Sequence, residues 1–278
     1  MRPLIPALAL MAAPALAFEI TASDIALLPQ AEVILIGELH DNPWHHENQA
    51  QAVAALEPAA LVFEMLSPEQ ALRVTPQLVD DEAALEETLG WAESGWPDFA
   101  MYYPVFRAGQ GADVYGAQVP RAALGAVVMQ GSVTADFAPL AARYGLGEPL
   151  DPAEQSARED SQLQAHCNAL PPAMLPGMVL AQRLRDAALA GAVEEALERS
   201  GAPVVVITGN GHARRDWGVP RLLADRAGVV AIAQFEAPPE ARQPFDRWIV
   251  TPEAEREDPC AAFAGAAGSD RQSGAENE

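Results

Sequence analysis

The run Pro203 to Thr208, PVVVIT, constrains the fold more than any other stretch of the chain. Every residue after Pro203 is β-branched and all but Thr208 are apolar, and the run ends abruptly at Gly209-Asn210-Gly211. Such a run reads as a short strand buried on both faces, as in the interior of a parallel sheet. Glu32 to Ile36, ending at Gly37, and Ala60 to Phe63, ending at Glu64, have the same character. Asp113 to Gly116, Val229 to Phe235 and Trp248 to Val250 supply further strands. Helix starts lie between them. Asp41-Asn42-Pro43 and Ser67-Pro68-Glu69 each pair a capping side chain with proline at the first helical position, and Asp151-Pro152-Ala153-Glu154 adds a glutamate at N3. Further helices are expected from Pro120, near Val219-Pro220, and over Met178 to Arg199, where an apolar face repeats. Alternating strands and helices predict an α/β fold with a mainly parallel sheet flanked by helices. The stretch from Thr134 to Ser200 is too long for one crossover. It is expected to form a helical insertion, about residues 130–200, between the third strand and the PVVVIT strand.

The two ends read differently from this core. Met1-Arg2, the apolar run Leu4 to Ala13 and the small-residue pattern Ala15-Leu16-Ala17 predict a cleaved signal peptide over residues 1–17. The run is shorter than the ~20 residues of a membrane span, and no later stretch qualifies. The folded domain is expected over 18–262. Residues 263–278, rich in Ala, Gly, Ser and acid, read as a disordered tail. The mature chain is therefore expected to be soluble and periplasmic or secreted, without a lipid anchor, since no cysteine stands near the cleavage point. A formal charge of −22 with no lysine excludes a nucleic-acid partner, because phosphate binding needs clustered cations. The two cysteines, Cys167 and Cys260, are expected to form a disulfide in an oxidising compartment.

Chemistry collects where the strands end. The first strand runs into Glu38 and His40, the second into Glu64, and the PVVVIT strand into Asn210 and His212. Parallel strands point their carboxyl ends the same way, and ligands of open α/β sheets bind there. Of His45 and His46, one is expected to face this site and the other solvent; His46 is favoured by its spacing to Ala50 and Val53 on the apolar side of the helix. His166, beside Cys167, reads as structural. Three chemistries suit the cluster. Glu38, His40, Glu64 and His212 could hold a divalent metal such as Zn, Mn or Fe, or the same four could perform acid/base catalysis without one. Alternatively a haem pocket would take His or Tyr as axial ligand, with Tyr102 and Tyr103 as phenolate candidates and Arg107, Arg121, Arg214 and Arg215 as propionate partners. The two tyrosines also fit simple aromatic packing at a helix start.

Ile36-Gly37-Glu38-Leu39-His40-Asp41-Asn42-Pro43, followed by His45-His46, resembles the opening motif of the ChaN-type haem-binding uptake proteins of the Tiki superfamily. So do Gly209-Asn210-Gly211-His212-Ala213-Arg214-Arg215-Asp216 with Gly218-Val219-Pro220, and Gln182-Arg183-Leu184-Arg185-Asp186. Glu255-Arg256-Glu257-Asp258-Pro259-Cys260 is similar to the family's C-terminal end, so the resemblance spans Val33 to Cys260. It implies an exported haem- or iron-binding protein of haem or iron acquisition, binding haem through a tyrosine. It further implies a histidine contributing to propionate recognition and a homodimer sharing the haem site. The candidate cofactor-binding residues are His46, Tyr102, Tyr103, Arg107, Arg121, Asn210, His212 and Arg214; of these Asn210 and His212, with Glu38, His40 and Glu64, match the family's motifs, whereas the haem-ligand tyrosine stands in no distinctive motif here. The superfamily also contains erythromycin-esterase-like hydrolases, which keeps open a metal-dependent or Glu/His hydrolase using Glu38, His40, Glu64 and His212.

Overall fold

Seven strands form one sheet: β1 (Phe18–Glu19), β2 (Val33–Glu38), β3 (Ala60–Phe63), β4 (Asp113–Gly116), β5 (Val204–Gly209), β6 (Val229–Phe235) and β7 (Arg247–Val250). Their order is β1-β7-β6-β2-β5-β3-β4, and every pairing is parallel. The computed structural model describes residues 18–27, 31–225, 228–258 and 260–261. The signal peptide expected over 1–17 and the tail expected over 263–278 lie outside the described residues. Strand β1 was not expected, since two residues carry no readable periodicity.

The central strands β2 and β5 are buried at every position, which explains their unbroken apolar character. Successive side chains leave opposite faces. Ile34, Ile36, Leu61, Phe63, Val205 and Ile207 join one core with residues of the Pro43–Leu56 and Phe99–Ala108 helices. Val33, Leu35, Val62, Val204 and Val206 join a second core with Leu189, Ala190, Val193 and Ala196 of the Leu175–Arg199 helix. Each such aliphatic side chain contributes about 1.5–3 kcal/mol of burial.

The insertion consists of helices Arg121–Gln130, Ala138–Arg143, Pro152–Ala165 and Leu175–Arg199, with short 3-10 turns leading into the second and the fourth. It has its own small core, in which Leu124, Val127 and Leu146 meet Ala181, Leu184 and Ala187 of the long helix. That helix thus serves two cores, and so fixes the insertion against the sheet.

The cap signals are realised. Asn42 accepts from the Trp44 and His45 amides, and Ser67 forms a reciprocal capping box with Gln70. At Asp151 only half of the expected box forms: the carboxylate caps Ala153 and Glu154, while the Glu154 side chain turns to Arg158 and Arg221 instead. Cys167 and Cys260 are bridged across a sequence separation of 93. On the chain-entropy model a loop of that size stabilises by about 4–5 kcal/mol. Among the described residues no helix is long and apolar enough to cross a membrane.

Candidate functional site

Register aligns the strand ends. Glu38 lies opposite Gly209 in the β2–β5 pairing, and the Glu64 amide donates to the Ile207 carbonyl one strand over at 3.1 Å. The residues read from sequence as the strand-end cluster, Glu38, His40, Glu64 and His212, are therefore brought together.

Glu38 is the hub of the first half. Its side chain is fully buried. Oε1 accepts from His40 Nδ1 at 2.6 Å and from the Tyr102 hydroxyl at 2.8 Å. Oε2 accepts from Gln49 Nε2 at 2.6 Å, with His46 Nδ1 3.4 Å away. Burial opposes the charge, but the His40 hydrogen bond and the pull of His46 outweigh it, so Glu38 titrates below the usual carboxylate range. Tyr102 feels the converse: burial first, then the Glu38 charge, push its phenol far up. The His40 ring is raised; burial works against this, and the Glu38 hydrogen bond prevails.

The second half is centred on His212. Its Nδ1 lies 2.6 Å from Asp186 Oδ1 and its Nε2 3.3 Å from Glu64 Oε1. Glu64 Oε2 is anchored by the Thr208 hydroxyl at 2.7 Å and the Gly209 amide at 2.9 Å. Burial opposes a charged imidazole, yet Glu64 and then Asp186 push His212 up to about 10. Glu64 is held well below its usual range, against burial, chiefly by His212. Asp186 is moved the other way, because burial is the leading influence on it. Since both ring nitrogens of His212 face carboxylate oxygens, the pairing is that of an imidazolium between two carboxylates.

An open depression of about 460 Å3 lies over these groups, floored by residues 38–41 and 209–211. The His40 side chain is 34% exposed there. Its Nε2 stands above Gly209, where an added Cβ would come within 3.0 Å of it. Trp96 packs edge-on against His40, ring centroids 4.9 Å apart. Trp96 also lines a neighbouring cavity of about 120 Å3 with Glu64, Arg121 and Arg185. Among the described residues neither arginine has a carboxylate partner, and the buried Trp96 Nε1 has no hydrogen-bond partner.

Several expectations need correction. Both His45 and His46 are buried, so neither faces solvent. His45 Nδ1 accepts from the Leu39 amide at 2.9 Å and Nε2 meets Thr251 Oγ1 at 2.9 Å. Burial leads in lowering this ring to about 4, so it is a neutral brace for the turn. His46 is close to the cluster but committed: Nε2 donates to the His40 carbonyl at 2.9 Å. Adjacent helical residues point about 100° apart, so only one of the two tyrosines can face Glu38. Tyr103 turns outward and donates to the Val79 carbonyl at 3.0 Å. Arg107, one turn on, follows it to pair with Asp80. Arg214 is tied to Asp216 at 2.7 Å and covers the Trp217 ring, and Arg215 pairs with Asp246 at 2.7 Å. The Asn210 amide pins the turn to Gln234 of β6 through bonds of 2.7 and 3.1 Å. The four expected metal ligands face one another as donor–acceptor pairs rather than a common point. Among the described residues no three His, Cys, Asp or Glu form a group able to hold a metal ion.

Sequence reasoning singled out Gln182 to Asp186 for the family resemblance but did not place Gln182, Arg185 or Asp186 in the site. Gln182 Nε2 lies 3.1 Å from His212 Nε2. Their spacing of three and four residues puts them on one face of the Leu175–Arg199 helix. The available signal was a carboxylate, Asp186, leading into the apolar run Ala187-Ala188-Leu189-Ala190 of that helix.

No curated protein sequence matches the chain. Among solved structures, ChaN of Campylobacter jejuni, described with cofacial haem, is similar at a TM-score of 0.58 and 18% identity, covering 86% of this chain and 88% of that one. A likeness at this identity establishes the shared fold. The type III effector HopBA1 matches at a TM-score of 0.42 with 14% identity over 80% of this chain and 88% of its own, too weakly to argue from. A succinoglycan biosynthesis protein stands at 0.43 with 11% identity, over 74% and 66% of the two chains, and is equally uninformative. The family model for haem-binding uptake proteins of the Tiki superfamily, ChaN, matches residues 25–223, and the chain belongs to that family.

Proposed function

We propose that this chain is an exported haem-binding protein of haem or iron acquisition, with haem lying against the depression floored by residues 38–41 and 209–211. One observation carries the placement. In a chain of charge −22, two arginines without carboxylate partners among the described residues, Arg121 and Arg185, stand together beside an open depression at the strand ends. Haem carries two propionates, and guanidinium groups bind carboxylates in a bidentate fork. The glycines at 209 and 211 leave the depression without walls of their own, which suits a flat macrocycle. Leu39, 36% exposed, and the Trp96 ring add apolar contact. The residues present thus fit the group. Bound haem would supply an iron with an open coordination position, while the chain orients the macrocycle, neutralises its propionates and shields one face. The leader motif and the Cys167–Cys260 bridge support an oxidising compartment outside the cytoplasm. The open character of the depression favours a second copy of the chain as the cover for the other face.

Haem titration of the mature chain, followed by its Soret absorbance, tests this reading. Saturable binding is expected in the wild type. Gly211→Trp is expected to abolish it, because the nearest atom to a Cβ there is 3.5 Å away and the bulky ring can fill the depression while sparing the fold. Arg121→Gln and Arg185→Gln should each weaken binding about 10-fold, the loss of one charge-assisted hydrogen bond. Unchanged binding in Gly211→Trp would place haem elsewhere.

A further inference from the structure

We propose that the chain carries a second binding site, between the insertion and the Leu175–Arg199 helix, for a small 2-hydroxy acid with an apolar body. The cavity there measures about 300 Å3 and shares no lining residue with the strand-end depression or with the cavity beside Trp96. That volume lies at the lower end of the range for small-molecule sites.

Positive charge gathers in this cavity although the chain as a whole carries −22. Arg158, Arg183 and Arg221 all line it. Among the described residues their one carboxylate partner is Glu154, which accepts from Arg158 Nε at 2.9 Å and from Arg221 Nη1 at 2.9 Å. Arg158 is further steadied by the Trp217 ring, whose centroid lies 5.3 Å away. Arg183 has no carboxylate of its own. Its Nη2 donates to the Gly145 carbonyl at 2.9 Å and its Nη1 to the Glu148 carbonyl at 3.3 Å. Two carbonyls hold this guanidinium in position but leave its charge unbalanced. Burial, and then repulsion from Arg158, lower Arg183 from its ordinary value, as expected of a cation short of an anion. A carboxylate entering the cavity would meet a fixed guanidinium able to bind it through charge-assisted hydrogen bonds.

Asp186 supplies a separate indication. It lines the same cavity and is 2% exposed. Its Oδ1 faces His212 at 2.6 Å, whereas Oδ2 is buried with no hydrogen-bond partner among the described residues. A buried acceptor of this kind calls for a donor. An ammonium group would add a fourth cation to three guanidiniums, so a hydroxyl suits the position. Arg183 and Asp186 stand three residues apart on one helix and so share a face. That proximity asks for the carboxylate and the hydroxyl on adjacent carbons of the ligand. Leu146, Leu150 and Leu222 provide an apolar wall for the remainder of it. The run Gln182 to Asp186 is thereby divided between two sites: Arg185 lines the cavity beside Trp96, and Arg183 lines this one.

Isothermal titration calorimetry of the full mature chain with 3-phenyllactate tests the proposal. Saturable binding is expected. 3-Phenylpropionate, which lacks only the hydroxyl, should bind about 10-fold more weakly, the loss of one hydrogen bond to a charged group. Phenylalanine, with an ammonium in place of the hydroxyl, should bind more weakly still. Arg183→Gln should weaken 3-phenyllactate about 10-fold or more, and Leu150→Trp, which leaves all three arginines in place, should block it by filling the cavity. Haem titration of both variants should match the wild type. No saturable heat with 3-phenyllactate overturns the site, as does binding that survives both substitutions in chains shown to be folded by circular dichroism. Equal affinity for 3-phenylpropionate or phenylalanine overturns the assigned ligand class. A parallel loss of haem binding in both variants would make the cavity part of the haem site and overturn its independence.

Discussion

Two histidines stand just past parallel strand ends, each against a buried glutamate, yet their surroundings divide them. His212 is 5% exposed and held between two carboxylates, Glu64 and Asp186. His40 is 34% exposed, meets one carboxylate, and turns its other nitrogen to an open depression. Identical chemistry thus has two uses. Enclosed and balanced on both sides, the imidazolium binds β3, β5 and the insertion helix together. Backed on one side only, the same ring stays partly exposed at the rim of the depression. Access and carboxylate count, rather than residue type, distinguish the two histidines.

The contrast is open to direct attack. The largest effect is expected from His212→Ala, which strands Glu64 and Asp186 as buried like charges and should cost about 3–5 kcal/mol in denaturant unfolding. The corresponding pH test has two limbs. His212, raised to about 10, favours the fold fully below its ordinary value of 6.5, and that contribution is lost as pH climbs through about 10. His45, lowered to about 4, has the opposite window: its contribution is complete above 6.5 and is lost as pH falls toward 4, about 3 kcal/mol in all. Unfolding midpoints should therefore decline on both sides of neutrality, with His212→Gln flattening the alkaline limb and His45→Gln the acid one. A wild-type alkaline limb that survives in His212→Gln would break the assigned role of that cluster. Tyr102→Phe removes one of the donors to Glu38 and should destabilise by about 1–3 kcal/mol. The smallest effect is expected for His40→Ala, about 1 kcal/mol or less, since Tyr102 and Gln49 still satisfy Glu38. If His40→Ala instead unfolds the chain as readily as His212→Ala, the distinction between the two histidines fails.

Much of this was legible from residues alone. The β-branched runs marked the central strands because burial on both faces forbids polar interruptions, and Asn42 and Ser67 announced helix starts because few side chains can satisfy free amides there. The convergence of Glu38, His40, Glu64 and His212 followed from parallel strands sharing one carboxyl edge. Other features depend on angles that spacing does not reveal. Tyr102 and Tyr103 are equivalent on paper and opposed in space, because one helical step rotates the second away from Glu38. His45 and His46 are both buried since Thr251, from the segment after β7, covers the side expected to face water. Asp186 joins His212 across 26 residues from the middle of a long helix, and only the packing of that helix on the sheet brings it there.

The bridge from Cys167 to Cys260 closes a covalent ring. Asp186, the Gly209–His212 turn and strands β5 to β7 lie on that ring, whereas Glu38, His40 and Glu64 lie outside it. Half of the strand-end cluster is therefore confined to a small volume even in the denatured chain, and the other half must be recruited to it. Oxidation thus makes the two halves unequal before folding begins: the ring is a tethered template, and the segment carrying β2 and β3 must find it.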